Sequence, residues 1–383
     1  MKPLTYILVL LLSIGAFAAN EWRHKASLSL EYGKRYDSNL ILPDSVTGSG
    51  AVISEVRFRP SFLLQYSPRT MVRALVSLGA EESNGFPECG IANARLELQF
   101  KHFFSHLTMV GVRTAYDKNV SSYAYYQRDL IEAEVEAGHY LNAETHLQFA
   151  LSGTQLQYPD LYRLSLSDMN KRSHYYDYRQ IKAASSVNHT FTERFSSEFG
   201  LEVYYRDYFQ DTHDSDYVGF VEVPQDTYLT PRFGGGYDTT YVNKDRPIYA
   251  PNIRQKDLAL QMNLTTTVAI FACLNLRPGL TIRFLESNDD YYSGLFYSPI
   301  LRLECPISPA RISLFYQYEA EIFPERSPDQ GTEQAHAAGL ETQYRFSNGL
   351  LFKMGYFLKD YHTPYPEENY RKRLVTASLL YSL

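Results

Sequence analysis

The sequence is poor in three features that mark other protein classes: it has one Trp, three Cys and, after residue 18, no long apolar run. Three cysteines are too few for a disulfide framework, and without a CxxC spacing they do not make a zinc site. No stretch beyond residue 18 approaches the roughly 18–20 apolar residues that a membrane-spanning helix needs. These features exclude a disulfide scaffold and a protein that crosses membranes with helices.

Charge and aromatic content narrow the class further. The 383 residues carry a formal net charge of −6, and the pI is near 6.0, so the chain lacks the basic footprint of a nucleic-acid-binding protein. Aromatic residues make up 15% of the chain, with 33 Tyr and 22 Phe, which argues against a disordered protein. The length fits either two ordinary domains or one large all-β barrel.

Residues 1–18 have the features of a secretory signal peptide. The start Met1-Lys2-Pro3 is basic, the run 4–14 is almost wholly apolar, and Ala16 and Ala18 supply small residues before a cleavage site. We therefore expect export of a mature chain that begins at Ala19 and has a net charge of −7 (36 basic minus 43 acidic residues). An uncleaved N-terminal anchor is the alternative.

From Trp22 onward, apolar and polar residues alternate with a period of two. In segment 91–102 one face carries apolar side chains and the other carries polar side chains, which only a β-strand can arrange. About sixteen segments of this kind can be counted, at the lengths expected for a membrane barrel. The predicted strands are 22–36, 51–66, 71–81, 91–102, 107–117, 122–140, 145–157, 174–191, 195–207, 255–266, 272–286, 294–305, 310–323, 335–346, 350–360 and 370–383.

Short and long connections alternate along the chain. The predicted tight turns are 67–70, 103–106, 141–144, 192–194, 306–309 and 347–349, and the longer loops are 37–50, 82–90, 158–173, 207–254, 324–334 and 361–369. Outer-membrane barrels have short periplasmic turns and long extracellular loops. The prediction is therefore an all-β fold: a transmembrane antiparallel up-and-down β-barrel of about 16 strands, occupying 19–383, with both termini in the periplasm.

The last strand strengthens this prediction. Its apolar residues form one face that ends at the final residue: Val375, Ala377, Leu379, Tyr381 and Leu383. This resembles the C-terminal strand signature that the barrel-insertion machinery recognises in bacterial outer-membrane proteins, although that family pattern usually ends in Phe or Trp. The whole mature chain resembles porin-like barrels in pattern.

A second resemblance lies at the end of the first predicted strand. The step Tyr36-Asp37-Ser38-Asn39 is similar to one found in several porin-like barrel families, including the barrel half of surface-lipoprotein assembly modulators. Those modulators also carry an N-terminal helical-repeat domain that this sequence lacks. Read without the resemblance, the four residues predict a strand-to-loop turn, because Asp and Asn hydrogen-bond their own backbone.

If the apolar face of each strand meets lipid, the charged face lines the interior. The predicted pore-lining residues are Arg57, Arg59, Arg73, Arg95, Glu97, Glu132, Glu134, Glu136, Arg283 and Arg302. A basic wall on the first four strands opposite a row of glutamates can set the ion selectivity of a pore. Alternatively, the same residues pair across neighbouring strands and stiffen the barrel.

Two further features admit more than one interpretation. Segment 207–254 is acidic and rich in Gly and Tyr, and it can enter the lumen, cap the barrel or form two extra strands; its spacing does not match an EF-hand loop. Tyrosines crowd the loop ends of strands, where an aromatic girdle or a ligand-stacking surface is expected. Alternation places Cys273 and Cys305 on opposite faces, so a bridge between them is not favoured.

The motifs of common enzymes are absent, since the sequence has no GxSxG, no HExxH and no P-loop. We therefore predict a non-enzymatic, porin-like channel for small hydrophilic solutes, with no cofactor and no metal. The alternatives are a translocation or assembly barrel for a protein or lipid partner, and a structural or adhesive barrel with Tyr-rich surface loops. The expected partners are outer-membrane lipid, the insertion machinery and the solute, with a homo-oligomer possible and nucleic acid excluded.

Overall fold

A computed structural model describes most of the chain beyond residue 22. The described residues are 23–40, 49–84, 90–121, 127–159, 163–164, 172–173, 177–212, 217–231, 237–249, 253–271, 273–288, 292–324, 331–363 and 369–382. The predicted signal peptide, Cys89 and Leu383 lie outside them. None of the helices in these ranges is long and apolar enough to cross a membrane.

The residues that the structure describes form twenty strands. Their bounds are β1 Arg23–Leu40, β2 Ser49–Ser67, β3 Thr70–Asn84, β4 Ile91–Phe103, β5 Thr108–Ser121, β6 Arg128–Tyr140, β7 Thr145–Gln157, β8 Arg163–Leu164, β9 Arg172–Ser173, β10 Tyr178–Thr192, β11 Phe195–Thr212, β12 Tyr217–Pro231, β13 Tyr237–Tyr249, β14 Ile253–Phe271, β15 Leu274–Ser287, β16 Gly294–Ile307, β17 Ala310–Ile322, β18 Thr332–Arg345, β19 Leu351–His362 and β20 Tyr370–Ser382.

Sixteen of these strands close into one antiparallel barrel, as the sequence predicts. The order is β1 to β7, then β10, β11 and β14 to β20, so each strand pairs with the next barrel strand along the chain. The barrel closes where β1 pairs with β20, with Leu30 opposite Tyr381. The apolar last strand is therefore paired on both sides and leaves no open edge.

The two longest predicted loops contain strands outside the barrel. Segment 207–254 was expected to be one long loop, but β11 continues to Thr212, β14 begins at Ile253, and β12 and β13 pair with each other between them. This matches the alternative of two extra strands. Segment 158–173 holds the short pair β8 and β9. The side chains of 210–253 and 160–176 lie outside the described residues, including the acidic cluster considered for calcium.

Several strand boundaries differ from the prediction by a few residues, and two of the differences are informative. Residues 36–39 lie within β1, which pairs with β2 as far as Leu40 after a register shift beyond Asp37. The prediction of a turn there is wrong, because these residues belong to the strand, where the Asp37 carboxylate is buried and pairs with Lys372 at 2.7 Å. Strand β14 also runs further than predicted, to Phe271, and β15 begins at Leu274.

All tight turns lie at one end of the barrel, here called the turn end, and the longer connections lie at the other, the loop end. The turn that joins β18 to β19 shows how the sequence specifies them. Gly349 has a φ of 85°, and the Asn348 side chain accepts a hydrogen bond from the Leu350 N–H at 3.1 Å. The predicted Asn-Gly turn therefore forms, because Gly adopts a positive φ without steric cost.

The two faces of the barrel strands differ sharply. One face, here called the apolar face, carries large exposed side chains such as Leu98, Val135 and Leu151, which are 48%, 50% and 56% exposed. The opposite face, called the charged face, carries half-buried Arg, Lys, Glu and Asp side chains. Among the described residues, no large side chain is less than 2% exposed. The barrel is therefore one sheet without a packed apolar core.

Candidate functional site

The charged face of β4, β5 and β6 carries a connected network of ion pairs. Arg95 on β4 contacts Glu97 at 3.3 Å and Glu132 at 3.1 Å. Arg113 on β5 contacts Glu134 at 3.4 Å, and it reaches Glu97 at 3.9 Å. These side chains are 17–29% exposed, so they are shielded from solvent without being fully buried.

Several ion pairs in this barrel reach over an intervening strand. Each joins a cation and a carboxylate on strands that are next-but-one neighbours, as their strand positions show. The pairs are Arg35–Glu81 at 2.8 Å, Arg95–Glu132 at 3.1 Å, Lys101–Glu136 at 2.9 Å, Arg283–Glu321 at 2.9 Å, Lys359–Glu319 at 2.9 Å and Lys353–Glu31 at 3.7 Å.

Small residues on the middle strand make room for these pairs. Gly111 lies in register between Lys101 and Glu136, and a Cβ at this position would come within 2.6 Å of the Glu136 Oε1. Ala115 lies in the same way between Glu97 and Glu132. The side chains of β4 and β6 therefore meet across β5, which contributes only its backbone and one methyl group at positions 111 and 115.

A second cluster lies on β1, β2 and β3. Glu31 contacts Arg59 at 3.3 Å, and Arg57 contacts Glu55 as well as Glu81 at 3.7 Å. Arg73 lies on the same face of β3 as Glu81, because an even number of positions separates the two residues along the strand. Among the described residues, Arg73 has no ion pair.

A third cluster lies near the turn end of β15, β16 and β17. Glu304 accepts hydrogen bonds from Arg277 at 3.0 Å and from Arg311 at 2.8 Å, and its side chain is only 7% exposed. Arg302, two residues before Glu304 on the same face, stacks over the ring of Phe315 at 5.4 Å. No described carboxylate forms an ion pair with Arg302, so this cluster holds an excess of cations.

The structure thus places all ten predicted pore-lining residues on one face of the barrel. Eight of them belong to ion pairs: Arg57, Arg59, Arg95, Glu97, Glu132, Glu134, Glu136 and Arg283. Arg73 and Arg302 stand apart from the carboxylates. The cross-strand pairing considered as an alternative role is therefore present for most of the set, while a role of the set in a pore remains a prediction.

Sequence reasoning missed several members of this face, among them Arg113 and Arg35. Arg113 connects the glutamate row of β6 to Glu97, and its alternation with Gly111 and Ala115 was the available signal. Arg35 bridges β1 to Glu81 on β3, but it lay at the predicted end of β1. Such residues are hard to predict because a pair that skips a strand depends on curvature and register.

A further cluster lies near the loop end of β10 and β11. The Arg206 guanidinium lies 4.5 Å from the ring of Tyr178 and 5.3 Å from that of Tyr204, and it donates to the Tyr208 hydroxyl at 2.9 Å. Tyr204 is only 9% exposed. These three tyrosines are therefore on the charged face, not in an outer girdle, whereas Tyr205 is 42% exposed on the apolar face.

The arc from β7 to β14 differs from the rest of the charged face. Most side chains around its cavity of about 260 Å³ are short or uncharged, such as Gln148, Ala184, Ser186 and Asn263, and the glutamates Glu198 and Glu202 also line it. Glu202 at its edge is held by Lys182 at 3.4 Å. The described residues offer no cluster of three metal ligands here or elsewhere.

Cys273 and Cys305 lie at the turn end. Both are free thiols, and their side chains are close enough to hydrogen-bond. Strict alternation would place them on opposite faces, but Cys273 lies in the turn before β15, where alternation does not apply.

Comparison with known proteins identifies the fold. No protein-family model matches the sequence, and no curated protein does either. The structure is similar to OccK8 (OprE) of Pseudomonas aeruginosa, at 10% identity and a TM-score of 0.50 over 94% of this chain and 98% of that one. It is similar to OccK9 (OpdG) of the same organism at 10% identity, with the same coverages and TM-score.

A third similar structure is OccAB1 of Acinetobacter baumannii, at 8% identity and a TM-score of 0.51, covering 94% of this chain and 97% of that one. Identities this low establish the shared closed barrel and nothing finer. The fold class predicted from the sequence is thereby confirmed.

Proposed function

We propose that the mature chain is an outer-membrane channel through which small hydrophilic solutes diffuse, and that its charged face lines the lumen. The apolar face then meets lipid, the turn end lies in the periplasm and the loop end faces outward. Residues 1–18 direct export, and the barrel-insertion machinery places the chain in the membrane. No chemical step is involved, so the protein is not an enzyme.

The ion pairs that reach over a strand carry this proposal. Neighbouring strands are roughly 4.8 Å apart, so a pair that skips one strand spans about twice that distance. Side chains converge on the concave side of a curved sheet and diverge on the convex side. Contacts of 2.8–3.1 Å between next-but-one strands therefore support an inward-facing charged surface.

The exposed apolar face supports the same orientation. A soluble protein rarely exposes a contiguous apolar surface of more than a few hundred Å², yet large side chains 40–60% exposed run around this barrel. Lipid is the environment that such a surface requires, and a closed barrel leaves no unpaired strand edge in it. Sixteen strands also enclose a lumen wide enough for water.

The wall composition favours small polar solutes of either charge. Most cations on the charged face are paired with carboxylates, and the arc from β7 to β14 presents hydroxyl and amide groups. Paired charges create a weaker net field than an unpaired ring of one sign. We therefore expect modest ion selectivity and permeability to uncharged sugars.

A liposome-swelling assay tests this function. Vesicles that contain the refolded mature protein should swell at rates that fall as neutral sugars increase in size, because the lumen sets a size limit. Vesicles with no protein, and vesicles with the same protein left unfolded, serve as controls. Rates no faster than these controls for the smallest sugar would contradict the proposal and favour a translocation or adhesive barrel.

A further inference from the structure

A repeated pair of side chains marks the apolar face at the turn end. Thr70 contacts the Nδ1 of His102 at 2.9 Å, Thr108 contacts that of His139 at 2.9 Å, and Thr145 contacts that of His189 at 2.8 Å. In each pair the threonine is the first residue of its strand, and the histidine lies directly opposite on the next barrel strand.

The three pairs occupy equivalent positions along the barrel. They join β3 to β4, β5 to β6 and β7 to β10, which are six consecutive barrel strands. At the corresponding position of the hairpin β17–β18, the partner of the first residue is Tyr344, which is 41% exposed. The histidines thus stand where an aromatic residue of a membrane-interface girdle stands elsewhere in the barrel.

Their surroundings are those of such an interface. Going toward the loop end, the apolar face continues with Phe100, Val135 and Val187, which are 39–50% exposed. Toward the turn end, His102 packs edge-to-face on Phe104 with ring centroids 4.8 Å apart, and His189 packs likewise on Phe191 at 4.4 Å. His102 and His189 therefore lie between an apolar belt and an aromatic residue at the rim, and Leu141 takes the place of that aromatic residue beyond His139.

The threonine contact fixes which ring nitrogen faces outward. With Nδ1 occupied by a hydroxyl, Nε2 is the nitrogen left on the far side of the ring, and among the described residues none of the three rings has a second hydrogen-bond partner. When the hydroxyl donates to Nδ1, the neutral ring carries its proton on Nε2, and in the charged ring both nitrogens are donors. Nε2 is therefore an N–H donor in the charged ring and, when the hydroxyl donates to Nδ1, in the neutral ring as well.

We propose that His102, His139 and His189 form a binding site for the phosphodiester headgroups of phospholipids in the leaflet that surrounds the turn end. Phosphate oxygens are strong acceptors, and an N–H at the headgroup level of a barrel has them as its nearest partners. The nearby turns carry Arg69 and Arg194 but also Glu144 and Glu193. The directed N–H donors, rather than a net positive rim, therefore provide the recognition.

This inference rests on the membrane orientation of the proposed function. The test uses the folded mature protein in detergent, titrated with dioleoyl phosphatidylglycerol, with bound lipids counted by native mass spectrometry. Monogalactosyl dioleoylglycerol, which has the same chains and no phosphate, is the comparison lipid. The variant His102→Phe/His139→Phe/His189→Phe keeps three aromatic rings and removes the N–H donors.

We expect the triple variant to bind phosphatidylglycerol roughly tenfold more weakly, because charge-assisted hydrogen bonds to phosphate are lost. Binding of the galactolipid should not change. A matched control is His146→Phe, because this histidine lies at the same end of the barrel but on the charged face, where it stacks on Tyr140, and the variant should bind both lipids like the wild type.

The threonines provide a second test. The variant Thr70→Val/Thr108→Val/Thr145→Val keeps the imidazoles but removes the hydroxyl groups that orient them. Its phosphatidylglycerol binding should lie between that of the wild type and that of the histidine variant. Unchanged phosphatidylglycerol binding in either triple variant would overturn the inference, as would an equal loss of both lipids in the histidine variant. If the wild-type barrel conducts but these variants bind lipid normally, the lipid site fails while the channel stands.

Discussion

At the residue scale, Arg302 and Glu304 differ in what surrounds them although they lie two residues apart on the same face of β16. Glu304 is held between Arg277 and Arg311, whereas Arg302 stacks on an aromatic ring and has no carboxylate partner among the described residues. They are therefore matched positions for testing the sign of the field in the proposed lumen.

We expect Arg302→Gln to shift the reversal potential in a KCl gradient toward cation selectivity, because it removes a cation from the wall. Glu304→Gln should shift it toward anion selectivity, since three arginines then remain with no carboxylate between them. Planar-bilayer recordings of both variants check the signs. Identical reversal potentials in wild type and both variants would show that this face does not meet the permeating ions.

The two substitutions should also differ in stability. Glu304→Gln leaves Arg277 and Arg311 without their shared carboxylate, but these arginines are 40% and 48% exposed, so solvent screens them and the cost is about 1 kcal/mol. Arg302→Gln breaks no ion pair, so we expect a smaller cost. Urea titration of unfolding, followed by tryptophan fluorescence or circular dichroism, measures both; a larger loss for Arg302→Gln would contradict the assigned contacts.

The sequence predicts on which face of a strand a residue lies, but it does not predict which residue it contacts. Period-two alternation assigned Arg95, Glu132 and Arg302 to one face, because in a strand the face follows from residue number alone. The partner of Arg95 on β6 depends on register and curvature, which no local pattern encodes. Arg113 was overlooked for the same reason, although it contacts carboxylates on both sides.

At the element scale, strand β5 shows how one small residue serves a contact between its neighbours. Gly111 separates Lys101 from Glu136, and a Cβ there would meet the Glu136 carboxylate at 2.6 Å and its Cγ at 2.8 Å. The ion pair between the flanking strands therefore depends on the missing side chain.

We expect Gly111→Val to displace Glu136 and to lower the free energy of unfolding by up to about 1 kcal/mol, the typical size of a cross-strand pair. Gly153→Val on β7 is the matched control, because a Cβ at Gly153 has no atom within 4 Å. Urea titrations of the two variants give the comparison. If the losses in free energy of unfolding caused by Glu136→Gln and Gly111→Val add up in the double variant, residues 111 and 136 are not coupled, and the prediction is contradicted.

The turn at 346–350 gives a second prediction for an element. Gly349 has a φ of 85°, and left-handed conformations cost other residues roughly 1–2 kcal/mol. Gly349→Ala should therefore lower the free energy of unfolding, as measured by urea titration, or slow refolding of the barrel. Refolding is followed on gels of unboiled samples, in which the folded barrel and the unfolded chain migrate as separate bands. Stability equal to that of the wild type would mean that the turn adopts another conformation.

Strand existence was predictable from sequence, and strand ends were less so. All sixteen barrel strands follow from alternation. The end of β14 and the start of β15 were misplaced because the residues there, Phe271 and Leu274, carry none of the Gly, Pro or Asn signals of a turn. Residues 36–39 were assigned to a turn because they contain Asp and Asn, whereas pairing with β2 and β20 extends the strand through them.

At the scale of the whole molecule, closure is the property that the sequence predicted best. An apolar terminal strand, an even number of alternating segments and the alternation of short and long connections together require a barrel, and β1 pairs with β20 as expected. A solute for the proposed channel could not be predicted, because it depends on side-chain positions across the barrel interior and on 210–253, whose side chains lie outside the described residues.

Single-channel conductance in a planar bilayer with a salt gradient tests the central claim most directly. If the charged face encloses a water-filled lumen, the folded protein should produce stable open steps, with a reversal potential close to zero because most wall charges are paired. A barrel that inserts and remains electrically silent would contradict the channel and show that the ion pairs fill the interior.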